Sequence, residues 1–132
     1  MYPIKISSTS DRYRQDISIN DKFHLTADEP KDLGGNDEGA TPMELVLAGL
    51  GSCKAITLKM YAERKGWELT KVEVDVDHQK IDRQYQISVR LHVAGNLTDE
   101  QKQRLLKIAD KCPVHKLLQS EAQIETILAD LK

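Results

Sequence analysis

Residues 41–65 constrain this chain more than any other segment. Thr41 is placed to be an N-cap, Pro42 suits the first helical position, and Glu44 completes a capping box. Gly66 follows Arg64 and Lys65, a pairing that suits the negative end of a helix and its C-cap. The spacing predicts one helix over 41–65. From Met43 to Cys53 apolar residues occupy nearly all of its sides. A helix that is apolar all round is buried rather than laid on a surface. A chain of 132 residues can hide such a helix under its own sheets or against a second subunit.

The segments around it read mainly as strands. Ile4 and Ile6 alternate with polar residues, as do Ile17 and Ile19, then Phe23 and Leu25. Asn20-Asp21 is a hairpin signal between the last two. Residues 28–40 form a loop with three glycines, one proline and five acids, long enough to suggest a function of its own. Val72, Val74 and Val76 face one way in a strand over 68–78, and Glu73, Asp75 and Asp77 the other. A second strand over 84–94 points Tyr85, Ile87, Val89, Leu91 and Val93 inward, and 80–83 makes the turn. The two are expected to pair as an antiparallel hairpin with one wet face. Thr98 caps a second helix with Gln101 at N3 and an apolar stripe of Leu105, Leu106, Ile108 and Ala109. Pro113 ends it after Cys112. A short helical piece over 114–120 and a last strand over 123–128 complete the order β-β-β-α-β-β-α-β. This is a mostly antiparallel α+β fold in one domain, residues 1–132.

Charge excludes one broad class of function. Nineteen Lys and Arg against 21 Asp and Glu give a formal charge of -2, without the basic footprint of a nucleic-acid binder. No secretory signal is expected from the first ten residues. The apolar stretch 43–53 is about half the ~20 residues of a membrane span. A cytoplasmic protein with no membrane partner is the expectation, and there two lone thiols need a reason.

Those thiols are Cys53 and Cys112. Cys53 follows Ala48-Gly49-Leu50-Gly51-Ser52. Each glycine costs a helix interior roughly 1 kcal/mol relative to Ala, and small residues beside a thiol leave room for a second backbone or a substrate. Cys53 is equally readable as a small apolar core residue. Cys112, with Pro113 as N1, falls at the N-cap of the short helix. Free N–H groups there, with Lys111, His115 and Lys116 nearby, are expected to lower its pKa; a packed Cys beside a helix break is the plainer alternative. Cys112 and His115 would supply only two of four zinc ligands, so no metal is expected. His24, His78 and His92 fall on strands and read as solvated.

Three segments, EPKDLGG at 29–35, TPMELVLAGLGSC at 41–53 and ADKCPVH at 109–115, together resemble the OsmC/Ohr family of thiol peroxidases, in its OsmC-like subgroup. The resemblance spans almost the whole chain with both cysteines in place. It implies an intertwined homodimer whose Cys-bearing helices pack centrally, wrapped by sheets from both chains. It implies that Cys53 is the peroxidatic cysteine and Cys112 the resolving one, and that Arg12, or failing it Arg14, partners the thiolate. Established peroxidases of the family carry a Glu directly after the Pro of the helix-opening segment. Here that slot is Met43 and the acid is Glu44, about a 100° turn away. Glu44 is therefore either a catalytic partner of the arginine or only a helix cap.

The resemblance makes a thiol-dependent peroxidase for organic hydroperoxides the leading expectation. Met43, Leu47 and Leu50 would line an apolar substrate pocket. No cofactor is expected, only an external dithiol reductant. The alternative is a non-catalytic dimer that senses redox state or binds a hydrophobic ligand.

Overall fold

The computed structural model describes residues 2–130. The chain divides into two compact units, one up to Ala48 and one from Gly49 onward, the boundary lying inside the long helix.

The first unit carries a three-stranded antiparallel meander: β1 (Ile4–Ser8), β2 (Gln15–Ile19) and β3 (Phe23–Ala27). The Asn20-Asp21 hairpin forms as expected, with φ of 56° and 52°, the left-handed pair that matches strand twist. The register sets Ile4 opposite Ile19 and Ile6 opposite Ile17, then Ile17 opposite Leu25 and Ile19 opposite Phe23. These cross-strand pairs gather the apolar residues on one face. The loop after β3 is built around Asp28, which is buried and accepts the backbone N–H groups of Glu29 (2.7 Å) and Glu38 (3.1 Å). Gly34 turns the chain at φ 92°, and a side chain at Gly35 would collide with the Glu29 carbonyl.

Helix α1 (Pro42–Lys65) has 24 residues. Thr41 N–H donates to Glu44 Oε1 (2.8 Å) and Glu44 N–H to Thr41 Oγ1 (3.2 Å), the reciprocal pair of a capping box. At the other end Gly66 takes φ 70°, and Trp67 N–H reaches the Ala62 carbonyl while Gly66 N–H reaches Glu63. That is a Schellman stop. One expectation for α1 is corrected. The apolar run continues through Ala55, Ile56, Leu58 and Met60, so the helix is long and apolar enough to cross a bilayer by length and composition, with a mean hydropathy of 1.2 in its best window. Within one chain the helix is only partly buried: 33% of that window is buried, and Met43, Val46, Ile56 and Met60 are exposed.

The second unit pairs β4 (Glu68–Ile81) with β5 (Gln84–Asn96) as an antiparallel hairpin longer than the pattern predicts. Asp82 and Arg83, with φ of 49° and 70°, form the two-residue turn. Helices α2 (Asp99–Ala109) and α3 (Pro113–Gln119) follow. Thr98 and Gln101 close the expected capping box on α2. The core joins Leu58 of α1 to Leu105, Ile108 and Ala109 of α2, packed against Tyr61, Trp67, Val72, Leu91 and Val93. Leu106, expected in the stripe, is exposed. It lies one residue off the i, i+3, i+4 set of Leu105, Ile108 and Ala109.

The expected last strand, 123–128, is not formed. Among the described residues no strand edge pairs with it, and its apolar side chains Ile124, Ile127 and Leu128 point into solvent. A strand is defined by its ladder, and alternation alone does not make one.

Candidate active site

Fold and local sequence bring the two cysteines together from 59 positions apart. Cys53 sits half-buried on α1; Cys112 is fully buried between α2 and α3. Both are free thiols, and they lie near enough to each other for Cys53 to raise the pKa of Cys112. Cys112 is the N-cap of α3, as expected, with φ -67° and ψ 145° and Pro113 behind it. Its Sγ accepts the His115 N–H at 3.3 Å. The expected lowering of its pKa does not follow. Burial pushes the Cys112 thiol above its ordinary value, and the neighbouring Cys53 thiol adds to the rise. The His115 N–H and the Lys54 charge pull the other way without overcoming them.

Lys54 is the residue that sequence reasoning missed. It is 1% exposed. Its ammonium meets the Ala109 carbonyl at 2.8 Å, His115 Nδ1 at 2.8 Å and Asp110 Oδ1 at 3.5 Å. Three acceptors for three N–H donors satisfy the charge completely, as a buried charge requires. An ammonium can only donate, so His115 Nδ1 is the acceptor in this contact. The signal was present: Lys54 is the one charged residue between Glu44 and Lys59, in a helix otherwise suited to burial.

Gly51 also has a local reason. A Cβ there would press on Val76 at 3.2 Å and Val74 at 3.7 Å, so glycine lets β4 close on the helix next to Cys53. A Cβ at Gly49 would meet nothing within 4 Å. A groove of about 280 Å³ is lined by Leu50, Tyr85, Ile87, Val89, His115, Leu118 and Gln119, of which His115 also donates its backbone N–H to Cys112. Aliphatic side chains make up most of its lining, with the imidazole, the Gln119 amide and the Tyr85 ring among them.

The remaining candidates fall in the first unit. Arg14 is engaged by Glu38 (3.1 Å), Asp16 (3.4 Å) and Asp11 (3.7 Å). Arg12 lies over the Tyr13 ring, 5.0 Å from its centroid, beside Gly34; among the described residues no carboxylate pairs with it. Glu44 is held by the Thr41 hydrogen bonds, which lower its carboxyl pKa. Met43 is exposed, Leu47 and Leu50 buried. One reading of the histidines is corrected: His78 shares the half-buried face of β4 with Val76, its ring stacked on Tyr85 and its Nδ1 without a hydrogen-bond partner among the described residues. His92, on the wet face, bonds Asp75 at 3.0 Å.

Comparison with known proteins gives this site its context. The family model described as OsmC-like protein matches residues 34–127, both cysteines included. An uncharacterised protein of Acinetobacter baylyi is 30% identical over 118 residues, covering 86% of this chain and 82% of that protein. An OsmC-like protein from Mycoplasma pneumoniae shares the fold with a TM-score of 0.76 at 20% identity, over 90% of this chain and 87% of that one. An organic hydroperoxide resistance protein from Elizabethkingia anophelis is 27% identical with a TM-score of 0.65, over 90% of this chain and 89% of that one. With the motifs at 29–35, 41–53 and 109–115 and a mixed α+β fold shared with these structures, this chain belongs to the OsmC/Ohr family.

Proposed function

We propose that this protein is a thiol-dependent reductase of organic hydroperoxides, acting as one OsmC-like domain per chain. The observation that carries the reading is the meeting of Cys53 and Cys112, one reachable and one sealed. The Cys53 thiolate attacks one peroxide oxygen; the O–O bond breaks, the alcohol departs with a proton, and Cys53 becomes a sulfenic acid. The Cys112 thiol condenses with it, forming the disulfide and releasing water. An external dithiol then restores both thiols, and no bound cofactor is required. A reducing compartment such as the cytoplasm suits that cycle.

Arg12 is the proposed thiolate partner, because Arg14 is already neutralised by three carboxylates. The alkyl part of the substrate is assigned to apolar surface around Leu50, with Leu47 and Met43 on the same helix; the groove beside His115 suits an uncharged tail. The functional unit is proposed to be a homodimer, since Ile56 and Met60 of α1 and Ile87 and Val89 of β5 are exposed and apolar surface of that kind marks an interface.

The test uses the reduced full-length protein, cumene hydroperoxide and hydrogen peroxide, with free thiols followed by stopped flow and mass spectrometry. Rapid loss of two thiols with the organic peroxide, abolished in Cys53→Ser, is expected. No thiol loss over minutes at millimolar peroxide would sink the reading. The capping role of Glu44 favours one second reading, a redox sensor without efficient turnover. Slow formation of the disulfide coupled to altered ligand binding would select it.

A further inference from the structure

Lys54 has no part in the chemistry above, yet it is the most deeply buried charge near the thiols. It follows Cys53 on α1 and reaches across to α2 and α3, where Ala109, Asp110 and His115 hold its ammonium. Cys112 lies between the two short helices that supply those acceptors. The Lys54 charge acts on the Cys112 sulfur in the direction that favours thiolate. The two sulfurs are therefore unequal in two independent respects. Cys53 is partly open to solvent and Cys112 is 0% exposed. Cys112 has a buried ammonium and the His115 backbone N–H beside it.

This asymmetry bears on the reductive half of the proposed cycle, and so rests on the reading of Cys53 and Cys112 as a reversible disulfide pair. We infer that Lys54 is the positioning residue that makes Cys112 the departing sulfur when the disulfide is reduced, directing the incoming thiol to Cys53. The external dithiol attacks Cys53 Sγ as a thiolate. The Cys53–Cys112 bond breaks and its electron pair leaves on Cys112. The second thiol of the reductant, once deprotonated, attacks its own sulfur bound to Cys53, closing a cyclic disulfide and releasing the Cys53 thiolate. The reductant loses two electrons and two protons, the protein disulfide gains two electrons, and the protons end on the protein sulfurs or in water. Leaving-group stability helps set the rate of such exchange. Once Cys53 is in the mixed disulfide, it carries neither the charge nor the free thiol that add to the rise in the reduced protein, while Lys54 and the His115 N–H remain to offset the burial of the Cys112 sulfur.

Tyr61, Arg104 and the exposed acids of β4 form separate clusters on the same unit; none of them is in the set that holds Lys54. Its charge is thus supplied to the thiol site by a local arrangement, and the helix carrying Cys53 brings it there.

The experiment oxidises the full-length protein with diamide rather than a peroxide, so that disulfide formation does not depend on peroxidase activity. Glutathione is then added, mixed disulfides are trapped with acid and mapped by peptide mass spectrometry, and the rate of reduction by dithiothreitol is measured. The expected adduct is on Cys53. Lys54→Met is expected to slow reduction by about tenfold, and Lys54→Arg to stay within about threefold of the natural chain. Adducts mainly on Cys112, or equal rates for Lys54→Met and the natural chain, overturn the inference, as does failure of diamide to join Cys53 to Cys112. Circular dichroism checks the fold of each variant; if Lys54→Met does not fold, the adduct map on the natural chain still decides. A protein that passes here but ignores cumene hydroperoxide would refute the peroxidase reading alone.

Discussion

The two ends of the β4–β5 hairpin obey one sequence rule and meet different fates. Near its open end, Val72, Leu91 and Val93 pack against a cluster built on Leu58 and Leu105. Near the Asp82-Arg83 turn, Tyr85, Ile87 and Val89 continue the same alternation but remain 54%, 40% and 38% exposed. Period two decides which face a side chain joins. It does not decide whether anything covers that face. A two-stranded ribbon cannot cover itself, so α1 and α2 protect one end and leave the other as apolar surface.

The sharpest way to break the contrast is to cut into the covered end. Leu105→Ala removes a side chain that is 0% exposed and is expected to cost about 2–5 kcal/mol in denaturant unfolding. A loss below ~1 kcal/mol would mean that the cluster is not a tightly packed core.

Asp28 offers a smaller test of a different kind of burial, one justified by hydrogen bonds rather than apolar contact. Burial works to raise its carboxyl pKa, but the N–H groups of Glu38, Glu29 and Asn36 and the Arg14 charge outweigh it and hold the pKa below the ordinary 3.8. A lowered carboxyl pKa stabilises the fold fully above the unfolded value, and that stabilisation disappears as pH falls through the folded one. Thermal melts should therefore show Asp28→Asn less stable than the natural chain at neutral pH, with the gap closing below about pH 4. A gap that persists unchanged into strong acid would reassign the effect to lost geometry.

The smallest effect is expected at the uncovered end. Ile87→Ala should change the stability of the isolated chain by less than about 0.5 kcal/mol. In light-scattering measurements the natural chain should weigh about twice its 14.9 kDa, and Ile87→Asp should shift it toward the single-chain mass. A natural chain that stays at the single mass at all concentrations refutes the homodimer, while a large Ile87→Ala penalty in the isolated chain would erase the contrast with Leu105.

Much of the molecule is legible in its sequence. The boxes at Thr41–Glu44 and Thr98–Gln101, the stop at Gly66 and the Asn20-Asp21 turn are local arrangements. Their hydrogen bonds close within a few residues, so a short window contains all the information. The motifs around Cys53 and Cys112 pointed to the family for the same reason. The failures required distant partners. The strand expected over 123–128 needed an edge to pair with, and Leu106 needed a neighbour on its side of α2. His78 stands two residues past Val76, so strand alternation places it on the half-buried face.

The sequence by itself determined the helix ends, the turn types, the faces of the strands and membership in the OsmC/Ohr family, because each is written in adjacent residues or in short motifs. Only the tertiary structure decided the chemistry of the thiols. It set Cys112 beside Cys53 and sealed it from water, which raised a pKa that its N-cap position alone was expected to lower. It also turned Lys54, one charge in an apolar helix, into a fully bonded ammonium at that site. Desolvation and charge–charge interactions depend on distance through space, and 59 residues of chain separate the cysteines whose sulfurs now share one environment.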